Sequence, residues 1–366
     1  MEKDMKSVSI IGAGIVGLAH AYAYAKRGWR VRVFERSPRA SGASIRNFGM
    51  LWPIGQPAGE REQLAMLSRR IWLELLDATK LPYSPQGSLH LTYSPDEEAV
   101  AREFVDREPL RATWISAEAT LAKSPAANPQ GLRGALYSFN EVIVDPRLVL
   151  WQLPEYLDET FGVEFAFNHA VTDIRQVVAD RILVCTGHDF ATLYPRLFSA
   201  SKLISCKLQM LRTAPQPEPW KLGPALAAGL TLRFYPSFRA CSSLAALERR
   251  VAEEMPAYNR WGIHVMASQM ADGSITLGDS HEYDLAVDVF DKDEIDQLIL
   301  TYLNTFAIFP NMRIAQRWHG VYGKHPDLPY FTAEPEPGVQ IVTGLGGAGM
   351  TLSMGLAETL ATDADA

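Results

Sequence analysis

VSIIGAGIVGLAHAYAYAKRGWRVRVFER, residues 8–36, reads as strand, tight glycine turn, helix and second strand. Val8, Ile10 and Ile11 make a short apolar β-run, and Val31, Val33 and Phe34 make another that ends in Glu35. Between them lies an alanine-rich helical run from Ile15 to Arg27, closed by Gly28. Gly12, Gly14 and Gly17 give G-x-G-x-x-G at the first strand-to-helix turn. The first glycine permits a sharp turn and the second lets backbone N–H groups approach a pyrophosphate. The third lets the helix lie against the sheet. The helix N-terminus adds partial positive charge facing the phosphates. Glu35 stands where a carboxylate accepts ribose hydroxyls, and it would repel a 2′-phosphate. The stretch therefore predicts a dinucleotide site for FAD or NAD rather than NADP.

The chain has 366 residues, 47% hydrophobic and 21% charged, an ordinary globular composition with room for two domains. A net charge of −7 and the lack of any Lys/Arg run argue against nucleic acid or an anionic membrane as partner. No apolar run approaches the roughly 18 residues of a membrane span. MEKDMK leads directly into the first strand without a secretory h-region, so a cytoplasmic protein is expected. Cys185, Cys206 and Cys241 are odd in number, scattered and without ligand spacing. They read as reduced thiols, and no metal site is expected.

Beyond Glu35 runs a loop rich in Gly, Ser and Pro, in which Phe48, Met50, Leu51 and Trp52 crowd together. Such a loop is expected to touch a ligand. An amphipathic helix is expected over 63–80, a strand over 89–93, a helix over 95–108 and another starting at Trp114. Asp145-Pro146 starts a further helix, with short strands over 163–167 and 170–174 and a buried strand, RILVCTG, over 181–187. From Cys206 to Arg317 the pattern is mostly extended, in KLQMLRT, LTLRFYP, IHVMASQ and SITLGDS, interrupted by one helix over 291–306. This segment reads as an antiparallel sheet under a substrate pocket. VQIVTGLGGAGMTLSMGLAE, residues 339–358, is again strand, glycine turn and helix. A second helix N-terminus aimed at the same ligand would stabilise the negative charge of a reduced flavin, which favours FAD over NAD.

These stretches carry a resemblance. IIGAGIVGLA, VFER, GASIRNFGM, NEVIVDP, RILVCTG and VTGLGGAGMTLSMGLAE resemble the FAD-dependent amine oxidases of the glycine oxidase, sarcosine oxidase and D-amino acid oxidase group. RNFGMLWPIGQPAGE, CKLQMLRTAPQP, LGDSHEY and RWHGVYGKHP are similar to a bacterial subgroup proposed to act on aminophosphonates. The resemblance implies an α/β fold, with a discontinuous Rossmann-type FAD-binding domain over 1–80, 140–205 and 320–366. An α+β substrate domain with a mainly antiparallel sheet would occupy 81–139 and 206–319. It places the adenosine and pyrophosphate contacts on Ile11, Gly12, Gly14, Ile15, Glu35, Arg36, Ala43 and Ser44, with Gly17 beneath them. Asn47, Phe48, Gly49 and Met50 follow from the middle loop, Val171 from beside the adenine, and Thr186 and Gly187 from the end of RILVCTG. The flavin end falls on Gly346, Gly347, Ala348, Gly349, Met350 and Thr351. Some members tether the flavin through a cysteine after W-x-G; here Tyr322, Gly323, Lys324 and His325 follow, which implies non-covalent FAD.

Many amino acid oxidases of the group carry arginine in W-x-G-x-R to grip a carboxylate. Tyr322 takes that place here, and Lys324 either answers a phosphonate or pairs with Asp327 or Glu334 at the surface. His264 stands roughly where sarcosine oxidases present a basic residue to flavin N5, and a positive charge is expected there unless the ring is structural. His319 and His281 are weaker candidates, and Trp52, Gln56 and Gln209 are candidate pocket residues. The implied reaction is oxidation of a small amine by hydride transfer to flavin N5, giving an aldehyde, released amine and, with oxygen, peroxide. 2-Aminoethylphosphonate or an N-methyl or hydroxy derivative is the expected substrate. The alternatives are an oxidase or dehydrogenase of ordinary amino acids or 2-hydroxy acids, and a flavoprotein serving RNA modification.

Overall fold

The computed structural model describes residues 5–365. Its first sheet has six strands in the order Phe331–Glu336, Val339–Thr343, Arg181–Val184, Ser7–Ile11, Arg30–Phe34, Glu164–Ala166. All neighbours run parallel except the pair Phe331–Glu336 and Val339–Thr343. Period-2 alternation buries both faces, as parallel sheets require. Ile10, Val33, Leu183 and Val342 point into one core with the helices Ile15–Ala25, Glu60–Thr79, Pro146–Phe161 and Gly349–Asp365. Ile11, Phe34, Val184 and Ile341 point into the other. The alanine run of Ile15–Ala25 fits this place, because the helix is buried nearly all round.

A nine-stranded sheet forms the second layer. Its order is Glu282–Asp284, Ile204–Thr213, Ile275–Gly278, Met266–Gln269, Ala225–Ala227, Ser88–Thr92, Gly134–Ser138, Ala112–Ser116, with Ile314–Lys324 paired along Ile204–Thr213. It is antiparallel apart from the pairing of Ala225–Ala227 with Ser88–Thr92. Two paired strands, Ile204–Thr213 and Ile314–Lys324, run across the domain limits drawn at 205 and 320. A small antiparallel sheet of Met50–Leu51, Val142–Val144 and Tyr83–Ser84 connects the layers.

Three local readings are corrected. Trp114 and Ile115 lie in the strand Ala112–Ser116, paired with Leu136 and Ala135, and Ser116 then caps the helix Ala117–Lys123 by accepting from Ala119 N at 3.2 Å. Residues 170–174 form no strand; Asp173 instead caps the short turn Ile174–Gln176, accepting from Arg175 N at 3.0 Å. LTLRFYP is helical over Gly229–Leu232 and turns again over Pro236–Ala240. Leu230 and Leu232 are buried, so their alternation reflects burial within a helical turn, and a short apolar run carries no period of its own.

Candidate active site

The C-terminal ends of the parallel strands face the nine-stranded sheet across a cavity of ≈ 500 Å³. Open α/β sheets bind ligands at that edge. Ile15 and Val16 from one helix N-terminus and Gly346 to Leu352 from the other both line this cavity. No side chain caps the first helix from its N-cap residue Gly14, and Ile15 N is met instead by Ser44 Oγ at 2.9 Å. The glycines keep the cradle open. A Cβ on Gly14 would meet Ser44 Oγ at 3.1 Å, and one on Gly347 would approach Tyr322 Oη at 3.6 Å. Gly17 has a different task, since a Cβ there would lie 1.9 Å from Gly12 O and push helix from strand.

Of the cofactor candidates, Ile15, Ala43, Ser44, Asn47, Phe48, Met50 and Gly187 line the cavity, as do Gly346 to Thr351. The middle loop is held in place by Asn47 Oδ1 accepting from Gly49 N at 2.7 Å and by Ser268 Oγ donating to Phe48 O at 2.7 Å. Trp52 N donates to Thr351 Oγ1 at 2.9 Å, joining this loop to the last helix. Glu35 accepts from Ala13 N and Ser37 N, both at 2.9 Å, which fixes its carboxylate at the end of its strand. Arg36 pairs with Asp189 just after Thr186 and Gly187. Ile11, Gly12, Gly14, Gly17, Glu35, Arg36, Gly49, Val171 and Thr186 lie outside the lining, Ile11 and Val171 being packed in the core beneath. The two helix N-termini, the glycine cradle and the anchored carboxylate together fit an extended dinucleotide.

At the sheet end the cavity is lined by Trp52, Gln56, Tyr235, His264, Asp279 and His281. Tyr283, Tyr322 and Lys324 complete it. Tyr322 and Lys324 share a strand face, and burial pushes the Tyr322 phenol up. Lys324 pairs with neither Asp327 nor Glu334; its Nζ lies 3.3 Å from Tyr283 Oη and 4.7 Å above that ring. Burial, with Arg239 nearby, lowers the Lys324 pKa.

His319 points to the opposite side of the same strand, where Nδ1 meets Asp291 Oδ1 at 2.9 Å, so it is not brought to the cavity. Gln209 likewise turns away and binds Lys292 O and Asp296 Oδ1 at 3.0 and 3.1 Å. His264 does line the cavity, but the expected positive charge is corrected. Burial, reinforced by His281 and Arg233, holds its pKa well below the ordinary imidazole value.

Sequence reading missed the arginines. Arg46, Arg61, Arg233, Arg239 and Lys324 line the cavity against one carboxylate, Asp279. Arg46 Nη1 donates to His319 O at 3.1 Å and Arg233 Nη2 to Ile263 O at 3.1 Å. Among the described residues, Arg61 and Arg239 have no ion-pair partner. They lie near enough that Arg239, after burial, contributes to lowering the Arg61 pKa. A second hollow of ≈ 530 Å³, lined by Arg39, Trp151 and Glu155 among others, is separate and holds no histidine.

Comparison with known proteins places these features. The bifunctional tRNA 5-methylaminomethyl-2-thiouridine biosynthesis protein MnmC of Chromohalobacter salexigens is 26% identical over 208 residues, 53% of this chain and 30% of that protein. Glycine oxidase of Geobacillus kaustophilus is 26% identical over 197 residues, 50% of this chain and 52% of its own length. The chain thus spans about a third to a half of these curated relatives. Among solved structures, glycine oxidase from Bacillus cereus superposes with a TM-score of 0.76 over 98% of this chain and 95% of that one, at 17% identity, a likeness of fold. A family model described as FAD dependent oxidoreductase matches residues 7–362. Since that match runs from the first strand of the parallel sheet into the last helix, the chain belongs to the DAO family of FAD dependent oxidoreductases.

Proposed function

We propose that the protein is an oxidase of a small amine bearing a phosphonate group, 2-aminoethylphosphonate or an N-methyl or hydroxy derivative. One observation carries this reading: five cations line the cavity and, among the described residues, none of them has an ion-pair partner. A carboxylate needs one bidentate arginine, whereas a phosphonate dianion offers three oxygens to several cations. Bound FAD supplies the two-electron acceptor. The chain's part is to hold the carbon next to nitrogen in line with it and to exclude water. Oxygen as final acceptor balances the reaction: amine, oxygen and water give aldehyde, released amine and peroxide. No cysteine lines the cavity among the described residues, which supports non-covalent FAD. The three cysteines are free and buried, which supports a reduced compartment. The domain division at the sheet junction and the assignment of Tyr322 and Lys324 to the substrate belong to the same proposal.

The test is anaerobic flavin bleaching, with peroxide release in air, across glycine, sarcosine, D-alanine, 2-aminoethylphosphonate and its N-methyl derivative. We expect the phosphonates to be turned over with kcat/KM at least tenfold above the amino acids. Fast sarcosine with inert phosphonates would overturn the substrate assignment. Flavin that stays with acid-precipitated protein would overturn the non-covalent one.

A further inference from the structure

His264, Asp279 and His281 meet at the cavity with acceptor atoms turned toward one another. His264 precedes the strand Met266–Gln269, while Asp279 and His281 follow Ile275–Gly278, to which that strand pairs antiparallel. His264 and Asp279 exchange backbone hydrogen bonds of 3.3 and 2.9 Å, which locks their register. His264 Nε2 lies 3.3 Å from Asp279 Oδ1, and His281 Nε2 lies 3.8 Å from Asp279 Oδ2. His281 Nδ1 is 3.0 Å from Gly262 O. That carbonyl only accepts, so the ring proton sits on Nδ1 and the neutral ring turns a lone pair toward Asp279. Asp279 Oδ1 and His264 Nδ1 are buried without a hydrogen-bond partner. Phe234 stacks on His264 at 3.9 Å and lies 4.5 Å from His281, which holds both rings in place.

A buried carboxyl between two imidazoles lacks a donor. The ligand that completes it is compact, cationic and rich in N–H bonds. We propose that His264, Asp279 and His281 seat the ammonium group of the substrate and take its proton, leaving the free amine to be oxidised. This rests on the amine-oxidase reading above. In the step an N–H bond of the ammonium breaks and its electron pair stays on nitrogen. A new N–H bond forms at His281 Nε2, Asp279 holds the resulting imidazolium, and nothing is oxidised or reduced.

The surroundings favour this seat. Arg233, Tyr235, Tyr283, Tyr322 and Lys324 are the titratable or charged groups facing it, Cys206 lies close by outside the cavity lining, and none is a carboxylate. Burial pushes Cys206 up to about 12 and raises the three phenols, so these keep their protons at neutral pH. Arg233 and Lys324 repel an ammonium from the rest of the wall. Burial also raises Asp279 and lowers His281 to about 4, so a lone charge is disfavoured at the trio and a carboxylate paired with an arriving cation is favoured.

The test uses holoenzyme of wild type, D279N and H281Q, with whichever amine bleaches the wild-type flavin, read by anaerobic stopped flow from pH 6 to 10. FAD content and Tm show that each variant is folded, and H281Q serves alone should D279N fail to fold. We expect D279N to lose about 100-fold in flavin reduction at pH 7 and to regain about tenfold per pH unit, because the amine must then arrive deprotonated. As a readout without turnover, wild type should bind the amine about tenfold more tightly than ethylphosphonate, and D279N should not. Wild-type-like profiles, or an equal loss at every pH, would overturn the assignment while leaving the amine-oxidase reading intact. Stoichiometric zinc in the purified protein that disappears in D279N would give the trio to a metal instead and overturn it. Wild-type flavin bleached by no amine would sink both.

Discussion

His90 is fully buried, and neither ring nitrogen has a hydrogen-bond partner. It lies 5.5 Å from Trp52 and 5.4 Å from Phe238, rings that cannot take up its proton. Burial alone lowers its pKa from 6.5 to about 3. The unfolded chain therefore binds a proton first, so this ring's contribution to stability is complete above pH 6.5 and is lost as pH falls toward 3. His90→Leu should remove about 2 kcal/mol of the stability difference between pH 7 and pH 5, read by urea denaturation at both. An unchanged difference would show that the ring is protonated in the fold. Single residues of this kind are legible only in part. His264 stood out as a lone histidine, but its neutral charge state follows from packing that no local pattern reports.

Gly355 shows how element packing overrides local propensity. In an exposed helix, glycine to alanine gains about 1 kcal/mol. Here a Cβ would lie 2.4 Å from Leu64 O and 3.0 Å from Ser68 N, on the helix Glu60–Thr79 that packs against Gly349–Asp365. Overpacking of this kind costs about 1–3 kcal/mol and displaces the helix whose N-terminus lines the cavity. Gly355→Ala should therefore lower both urea stability and FAD retention on gel filtration; a more stable, fully yellow variant would refute the contact. The strands and helices near the glycine turns are legible in the sequence because caps and breakers act within a few residues. Asp145 does accept from Arg147 N at 3.0 Å to start Pro146–Phe161. Trp114 and residues 230–236 depart from the expected elements because short apolar runs fit strand and helix equally.

The whole molecule carries a net charge of −7, yet its cavity holds five cations and one carboxylate. Arg239 is exposed and Arg61 is half-buried. An acidic surface with a cationic opening focuses the field and steers anions inward. For a phosphonate-bearing amine, kcat/KM should fall about threefold or more between about 10 and 200 mM salt, as screening shortens to roughly 7–8 Å. For an amine of no net charge, such as zwitterionic glycine, it should stay flat, and Arg239→Gln should remove most of the dependence. Equal salt profiles for charged and neutral amines would show that these arginines do not steer.

The glycine fingerprint, the acid closing its second strand and the matching turn near the C-terminus were fixed within short stretches of chain. Each depends on backbone geometry that neighbouring residues set, and that is why the nucleotide-binding character was readable in advance. The tertiary structure alone decided that Arg61 meets Arg239, that His281 and Asp279 join His264, and that His319 and Gln209 turn away. These depend on strand register and on which face each strand buries, long-range properties that leave no spacing in the sequence.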